Sequence, residues 1–381
     1  MKKFLICIFL MCLSRQSMMA QLTSLGWIED SISAYHDYKI EYSNNKIYAA
    51  ASRGLYQREL ELSDEWVKLA FTDSAIVDFE VHGDTIVAIS DSLLFISVDG
   101  GKTANSIFID KIDPYRKNTH IIKTLRGVAV HPSNANKIHV TLKKGFAYTD
   151  DGGITWSRGD SLIWLDDMVY NPLDDKNLIA YHNNDVNIIT YVSVDGGCNW
   201  EQTKGYDDYL RKIYSVVFHP IDKNKVILCG GGIYAISKDQ GHSWMISGDP
   251  DIGTLPELYL YDIVYDLSNP DILYGASEMY YYQCQISIHR SMDGGFTWEV
   301  FYVIENESPM GVYDMCIVDS KLVIYTFHDR EVYLLDVDEV ASISPVTSEA
   351  ALTPYYDLQG RPVAAPARGI YIKDGKKVVI R

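Results

Sequence analysis

Residues 148–156 read YTDDGGITW, and the chain writes the same phrase four more times: SVDGGKT at 97–103, SVDGGCNW at 193–200, SKDQGHSW at 237–244 and SMDGGFTW at 291–298. The shared pattern is Ser or Thr, any residue, Asp, Gly, Gly, any residue, Thr, Ser or Asn, then Trp. Two adjacent glycines take positive φ without a Cβ penalty, and a carboxylate beside them accepts the amides of its own turn, so the phrase predicts a hairpin turn. The aspartates are Asp99, Asp151, Asp195, Asp239 and Asp293, and the tryptophans Trp156, Trp200, Trp244 and Trp298 are expected to pack beneath the turns. Ala104 stands where the first copy lacks its Trp, and Gln240 replaces the first Gly of the fourth.

A second repeat sets the phase of the first. VAVHPSNANKIHV (128–140), MVYNPLDDKNLIA (168–180), VVFHPIDKNKVIL (216–228) and IVYDLSNPDILYG (263–275) superpose without gaps. Each is an apolar strand, a turn rich in Pro, Asn and Asp, and another apolar strand. Four antiparallel strands per unit and a period of about 40 to 50 residues predict an all-β fold, a single β-propeller, because a lone sheet covers neither of its faces and must stack on neighbours. Residues 38–70 make a first unit with SDEWVKL in place of the box. Boxed units follow at about 76–108, 127–160, 165–204, 213–248 and 260–304, and 310–337 supplies three strands of a seventh. The N-terminal stretch LGWIED (25–30) is the expected fourth strand of that seventh blade, with Trp27 where the boxes place theirs. The phrase resembles the Asp-box, or bacterial neuraminidase, repeat of sialidase-type propellers, and that resemblance implies a β-propeller, for which the unit count gives seven blades. It also implies that the box aspartates are structural, since in that family the boxes lie away from the active site.

Domain limits follow. Residues 1–20, with Lys2 and Lys3 before an apolar run from Phe4 to Leu13, read as a signal peptide, leaving a propeller at 21–338, a linker at 339–353 and a short β tail at 354–381. The tail, with Tyr356-Asp357-Leu358, Gly360-Arg361 and Gly369-Ile370-Tyr371, resembles the C-terminal sorting segment of the Bacteroidetes type IX secretion system, which implies a secreted or cell-surface protein handed to export machinery. No segment is apolar for long enough to span a membrane. The formal net charge is −17, and loss of Lys2, Lys3 and Arg15 with the leader makes it −20, which sets the chain against nucleic acid as a partner. Cys198, Cys229, Cys284 and Cys316 remain; their spacing fits no metal site and leaves both disulfides and free thiols open. No phosphate loop, Gly-x-Ser-x-Gly elbow or CxxC pair occurs, so neither cofactor nor metal is expected. His131 and His219 occupy a strand-end position that Asn171 and Asp266 share, which indicates a turn role.

The phase also assigns the faces. Box turns join third to fourth strands and the Pro-containing turns join first to second, so both crowd one face of the disc and leave the other for a ligand. Length variation agrees: from the strand-end landmark to the box Asp the separations are 20, 24, 20 and 27 residues, the extra ones falling in 182–189 and 277–285, and the long blade-to-blade connections are 110–126, 204–212 and 246–258. These insertions carry Tyr115, Tyr206, Tyr209, Tyr280, Tyr281 and Tyr282, suited to stacking on sugar rings or gripping a peptide, and Arg116 and Arg211, which with Arg330 of the seventh unit are suited to a carboxylate. The expected function is therefore binding of a glycan, peptide or protein on that face. The alternative is a glycoside hydrolase using Asp207, Asp208, Asp249 or Asp251 as its acid and base. The Arg-Ile-Pro or Arg-Leu-Pro motif of sialidases is absent, and Arg361-Pro362 lies in the tail.

Overall fold

Short runs rich in β-branched and aromatic residues, buried on both faces in the middle strands and broken by turns of Gly, Asn or Asp, fold each repeat into a small meander of four antiparallel strands. Seven such sheets form a ring, a seven-bladed β-propeller, in a computed structural model that describes residues 22–28, 39–61, 64–71, 73–113, 125–142, 144–159, 164–183, 188–203, 212–246, 259–278, 285–305, 311–326, 331–337, 355–356, 362–363, 369–373 and 376–380. The first strand of each blade is innermost: Ile40–Ser43, Asp78–His82, Leu125–Val130, Asp167–Asn171, Lys212–Phe218, Leu260–Tyr265 and Val312–Val318. These strands lie against one another around the axis. Apolar side chains from adjoining blades, such as Ile179, Val216, Leu228 and Trp244, merge into shared inter-blade cores.

Blade 7 is made from both ends of the propeller chain. Leu22–Trp27 pairs antiparallel with Glu331–Asp336, Leu22 opposite Leu335 and Trp27 opposite Glu331. This register corrects one expectation. The box tryptophans precede their outer strands, on the side of the turns, whereas Trp27 ends its strand at the opposite rim and is 72% exposed. The strand enters three residues earlier than the pattern LGWIED suggests, because Leu25 and Ile28 are the residues that reach the core.

The five boxes share one geometry. In the copy at 149–156, the Thr149 hydroxyl donates to Asp151 Oδ1 at 2.7 Å and accepts the Gly153 amide at 3.0 Å. Asp151 in turn accepts the Thr155 amide at 2.9 Å and its hydroxyl at 2.6 Å. The bonds from Thr103 and Thr155 hold the Asp99 and Asp151 carboxyls down to about 2, so the stability they supply is present above the ordinary aspartate range and fades as pH falls towards 2. Trp156, Trp200 and Trp298 each donate Nε1–H to the carbonyl of the second glycine, at 3.2, 3.1 and 3.0 Å. The amide at the first glycine position donates to the turn between strands one and two of the same blade: Gly100 to Asp84, Gly152 to Asn136, Gly196 to Lys176, Gln240 to Asn224 and Gly294 to Asp271. Both turn families therefore do lie on one face. The strand-end residues cap those inner turns, His219 Nδ1 accepting the amides of Ile221 and Asp222 and Asp266 Oδ1 that of Ser268, which is the turn role their position indicates.

The second unit, Val337–Arg381, holds a four-stranded sheet in the order 362–363, 355–356, 369–373, 376–380. Cys198, Cys229 and Cys316 are free thiols, and Cys284 lies outside the described residues.

The two glycines of a box have different duties, and this is testable. Gly294 has φ +73° and open space around its Cβ position, whereas Gly295 has φ +96° and a Cβ there would stand 2.4 Å from the Tyr234 hydroxyl of the preceding blade. Gly294→Ala is expected to lose about 1 kcal/mol of unfolding free energy from backbone strain alone, and Gly295→Ala about 3 kcal/mol or more from strain plus overpacking, read from urea midpoints.

Candidate functional site

The long connections begin and end at strand termini on the rim away from the boxes. Tyr115, Arg116, Tyr206, Asp207, Asp208, Tyr209, Arg211, Asp249, Asp251, Tyr280, Tyr281, Tyr282 and Arg330 all fall outside the described residues. What is described on that rim is the start of each inner strand, and there a column of residues emerges that insertion lengths did not disclose.

Five residues before the strand-end landmark, neighbouring blades carry Arg126, Asp166, Tyr214, Tyr261 and Tyr313. In blades 5, 6 and 7 the ladder steps past this residue: Ile213 faces Gly230 and Ser215 faces Cys229, Leu260 faces Ser277 and Asp262 faces Ala276, Val312 faces Thr326 and Asp314 faces Tyr325. Blade 3 has the same irregularity between Leu125 and Val128. A bulge of this kind re-aims a side chain and frees it from the sheet. Tyr214 and Tyr261, from adjoining blades, stack with centroids 5.3 Å apart and planes 5° from parallel, and Tyr214 remains 42% exposed. Tyr313 leans on the buried Tyr325 at 5.3 Å.

One sector along, the column turns polar. The Arg126 guanidinium pairs with Asp166, whose other oxygen meets His182 Nδ1 at 3.1 Å and accepts the Asn183 amide at 2.6 Å. Burial, with Arg126 adding to it, lowers the His182 pKa and keeps the ring neutral. Trp164 stands beside this cluster, 38% exposed, with Lys144 Nζ 5.4 Å above its ring. The rim thus offers aromatic faces with polar ends in blades 5 to 7 and a committed ion-pair network in blades 3 and 4.

The next residue of each inner strand, from blade 1 to blade 7, is Lys39, Asp78, Gly127, Asp167, Ser215, Asp262 and Asp314. Here carboxylates reach the amides of the following blade. Asp78 accepts Val128 N, Asp262 accepts Met315 N and Asp314 accepts Ile40 N, all at 2.8 Å. Two positions on, Glu41 accepts Val81 N at 3.2 Å and Glu80 accepts Val130 N at 2.8 Å. Gly127 leaves room for Asp167, whose Oδ1 would lie 2.1 Å from a Cβ there. Burial would lower the Lys39 pKa, but Asp78, 3.1 Å from its Nζ, and Glu80 and Glu41 outweigh it and keep the ammonium charged. Burial pushes Glu41 up to about 7 against the pull of Lys39, and it raises Asp167 well above the ordinary aspartate range, with Asp78 adding repulsion. Among the described residues no group of three or more metal-ligating side chains converges in a metal-binding arrangement.

Comparison with known proteins agrees with this architecture. The family profile described as BNR/Asp-box repeat matches residues 147–158. An uncharacterized protein of Saccharomyces cerevisiae, YCR101C, is 25% identical over 123 residues, covering 27% of this chain and 68% of that one. Among solved structures the chain is similar to YCF48 bound to D1 peptide, with a TM-score of 0.55, 14% identity and 82% and 97% of the two chains covered. YCF48 from Cyanidioschyzon merolae has a TM-score of 0.58, 15% identity and 84% and 99% coverage. An ancestral GH74 enzyme has a TM-score of 0.53 and 13% identity, matching 93% of this chain but 49% of its own. At these identities the likeness is one of fold.

The carboxylate ring makes a definite demand on Asp78, which bonds one amide of the next blade and the only lysine of its column. Asp78→Ala is expected to cost about 3 kcal/mol in urea unfolding, because a buried amide and an ammonium both lose their acceptor. Asp78→Asn, which keeps an oxygen for Val128, is expected to cost roughly half of that.

Proposed function

We propose that this chain is a binding propeller that engages a glycan, peptide or protein through the rim opposite its boxes. The observation that carries the reading is the bulged column, which takes Tyr214, Tyr261 and Tyr313 out of their ladders in three successive blades. Tyrosine supplies a broad apolar face and a hydroxyl at small conformational cost, a combination favoured in recognition surfaces. The strands that flank the tyrosine-bearing segments 204–212 and 277–285 end at the same rim. A propeller of similar fold, YCF48, has been captured with a peptide, which makes peptides the first ligands to try.

The test is a peptide library and a glycan array, with reducing-sugar release measured in parallel. Tyr214→Ala and Tyr261→Ala are expected to weaken the ligand found at least tenfold, about 1.4 kcal/mol, with the melting temperature little changed. Loss of binding on Ile154→Asp or Ile221→Asp at the box face, with the tyrosine variants intact, would refute the reading. Sugar release abolished by Asp207→Ala or Asp249→Ala would replace it with a hydrolase.

We further propose that residues 1–20 are an export leader and that 354–381 address the protein to the cell surface or medium, on the strength of the sequence patterns at both ends. Deleting 354–381 is expected to leave the protein in the periplasm, as read by fractionation; undiminished surface delivery would reject the address.

A further inference from the structure

Blade 7 is held to its neighbours differently from the other blades. The Met315 amide lies between two carboxyl groups, 2.8 Å from Asp262 Oδ2 of blade 6 and 3.0 Å from Oδ1 of its own neighbour Asp314. The remaining Asp314 oxygen accepts the Ile40 amide of blade 1 at 2.8 Å. The two carboxyl groups therefore meet at a single amide nitrogen. Two like charges held this close in a largely buried site repel, which favours a proton on one member of the pair.

The surroundings relieve this only in part, through hydroxyl and amide donors and through Lys39, which acts to lower the Asp314 pKa. Blade 5 presents the Ser215 hydroxyl, bonded to Asp262, and the Cys229 thiol; blade 7 adds Cys316, whose thiol burial and Asp314 both push up. Blade 1 contributes Glu41, an acid, and Lys39, whose ammonium is tied to Asp78. Asp262 is 5% exposed. Burial raises the pKa of both aspartates, and Asp262 adds to the effect on Asp314, whereas Asp314 acts to lower that of Asp262.

We infer that Asp262 and Asp314 share one proton, and that this proton latches the blade built from the two chain ends to the blades on either side of it. The direction of its pH dependence follows from linkage. The folded pair keeps a proton that unfolded aspartates release near pH 4, so the latch contributes most on the acid side. Its contribution falls as pH rises towards the pair's own raised pKa, where a second negative charge appears beside the first.

Asp314→Asn replaces the shared proton with a permanent N–H donor while keeping an oxygen for Ile40. Its melting temperature is expected to lie at or below that of the wild type at about pH 5 and above it at about pH 9. Asp262→Asn is expected to behave likewise. The independent readout is the carboxyl 13C resonance of aspartate in the unmodified protein: the Asp262 and Asp314 signals are expected to titrate together, above the ordinary range near 4. Separate titration of both signals in that ordinary range would overturn the inference even if neither variant folds. A melting-temperature difference between variant and wild type that does not change with pH would overturn it too.

Discussion

A propeller's innermost strand has a partner on one side only. Its other edge faces the axis, and the N–H groups along that edge must find acceptors or remain unpaired in a narrow channel. In this chain the acceptors are carboxylates sent from the preceding blade: Asp78 to Val128, Glu41 to Val81, Glu80 to Val130, Asp262 to Met315 and Asp314 to Ile40. These bonds do two things at once. They satisfy amides of the inner edge, and they tie blade 1 to 2, 2 to 3, 6 to 7 and 7 to 1 near the axis. The boxes do the corresponding work on one face, where the second glycine touches the preceding blade, Gly153 against Ile96 and Gly241 against Ile179.

The division of labour between faces follows from those ties. The box face is committed to short turns with bonds to spare for nothing else, so length can grow only at the far rim. There the inner strands bulge, and the residues released are Arg126, Tyr214, Tyr261 and Tyr313. A scaffold braced at its centre and on one face tolerates irregular backbone at the remaining one, which is where recognition is built in most folds.

Much of this was legible in the sequence. The box phrase and its companion turn gave seven blades and their phase, because Asp, Gly-Gly and Trp at fixed offsets admit few backbone solutions. The register of the closing strand was misjudged: LGWIED carries a tryptophan at a suggestive place, but burial of Leu25 and Ile28 decides the alignment. The bulged column was present in plain view, in IYSVVFHP and LYDIVYDL, yet reading insertion length drew attention to the loops and away from the strand starts. The carboxylate ring was hidden for another reason. Asp and Glu inside a strand look like solvated positions, and only the closed ring shows that their side is an interior one with amides waiting.

The pairing of Leu22 with Leu335, and the hydrogen bond that the Ser24 hydroxyl donates to the Glu331 carboxylate, have a bearing on how the molecule comes into being. These partners are separated by 307 positions along the chain in the case of Ser24 and Glu331. At a synthesis rate of about 5 to 20 residues per second, the earliest strand waits on the order of half a minute for its mate to be made. Six blades have their strands by then, each assembled from local hairpins that form quickly, while the last seam closes the longest loop in the polypeptide. The nascent ring is thus a gapped crescent with a bare strand edge at each end, and a chaperone that covers those edges would act within that interval.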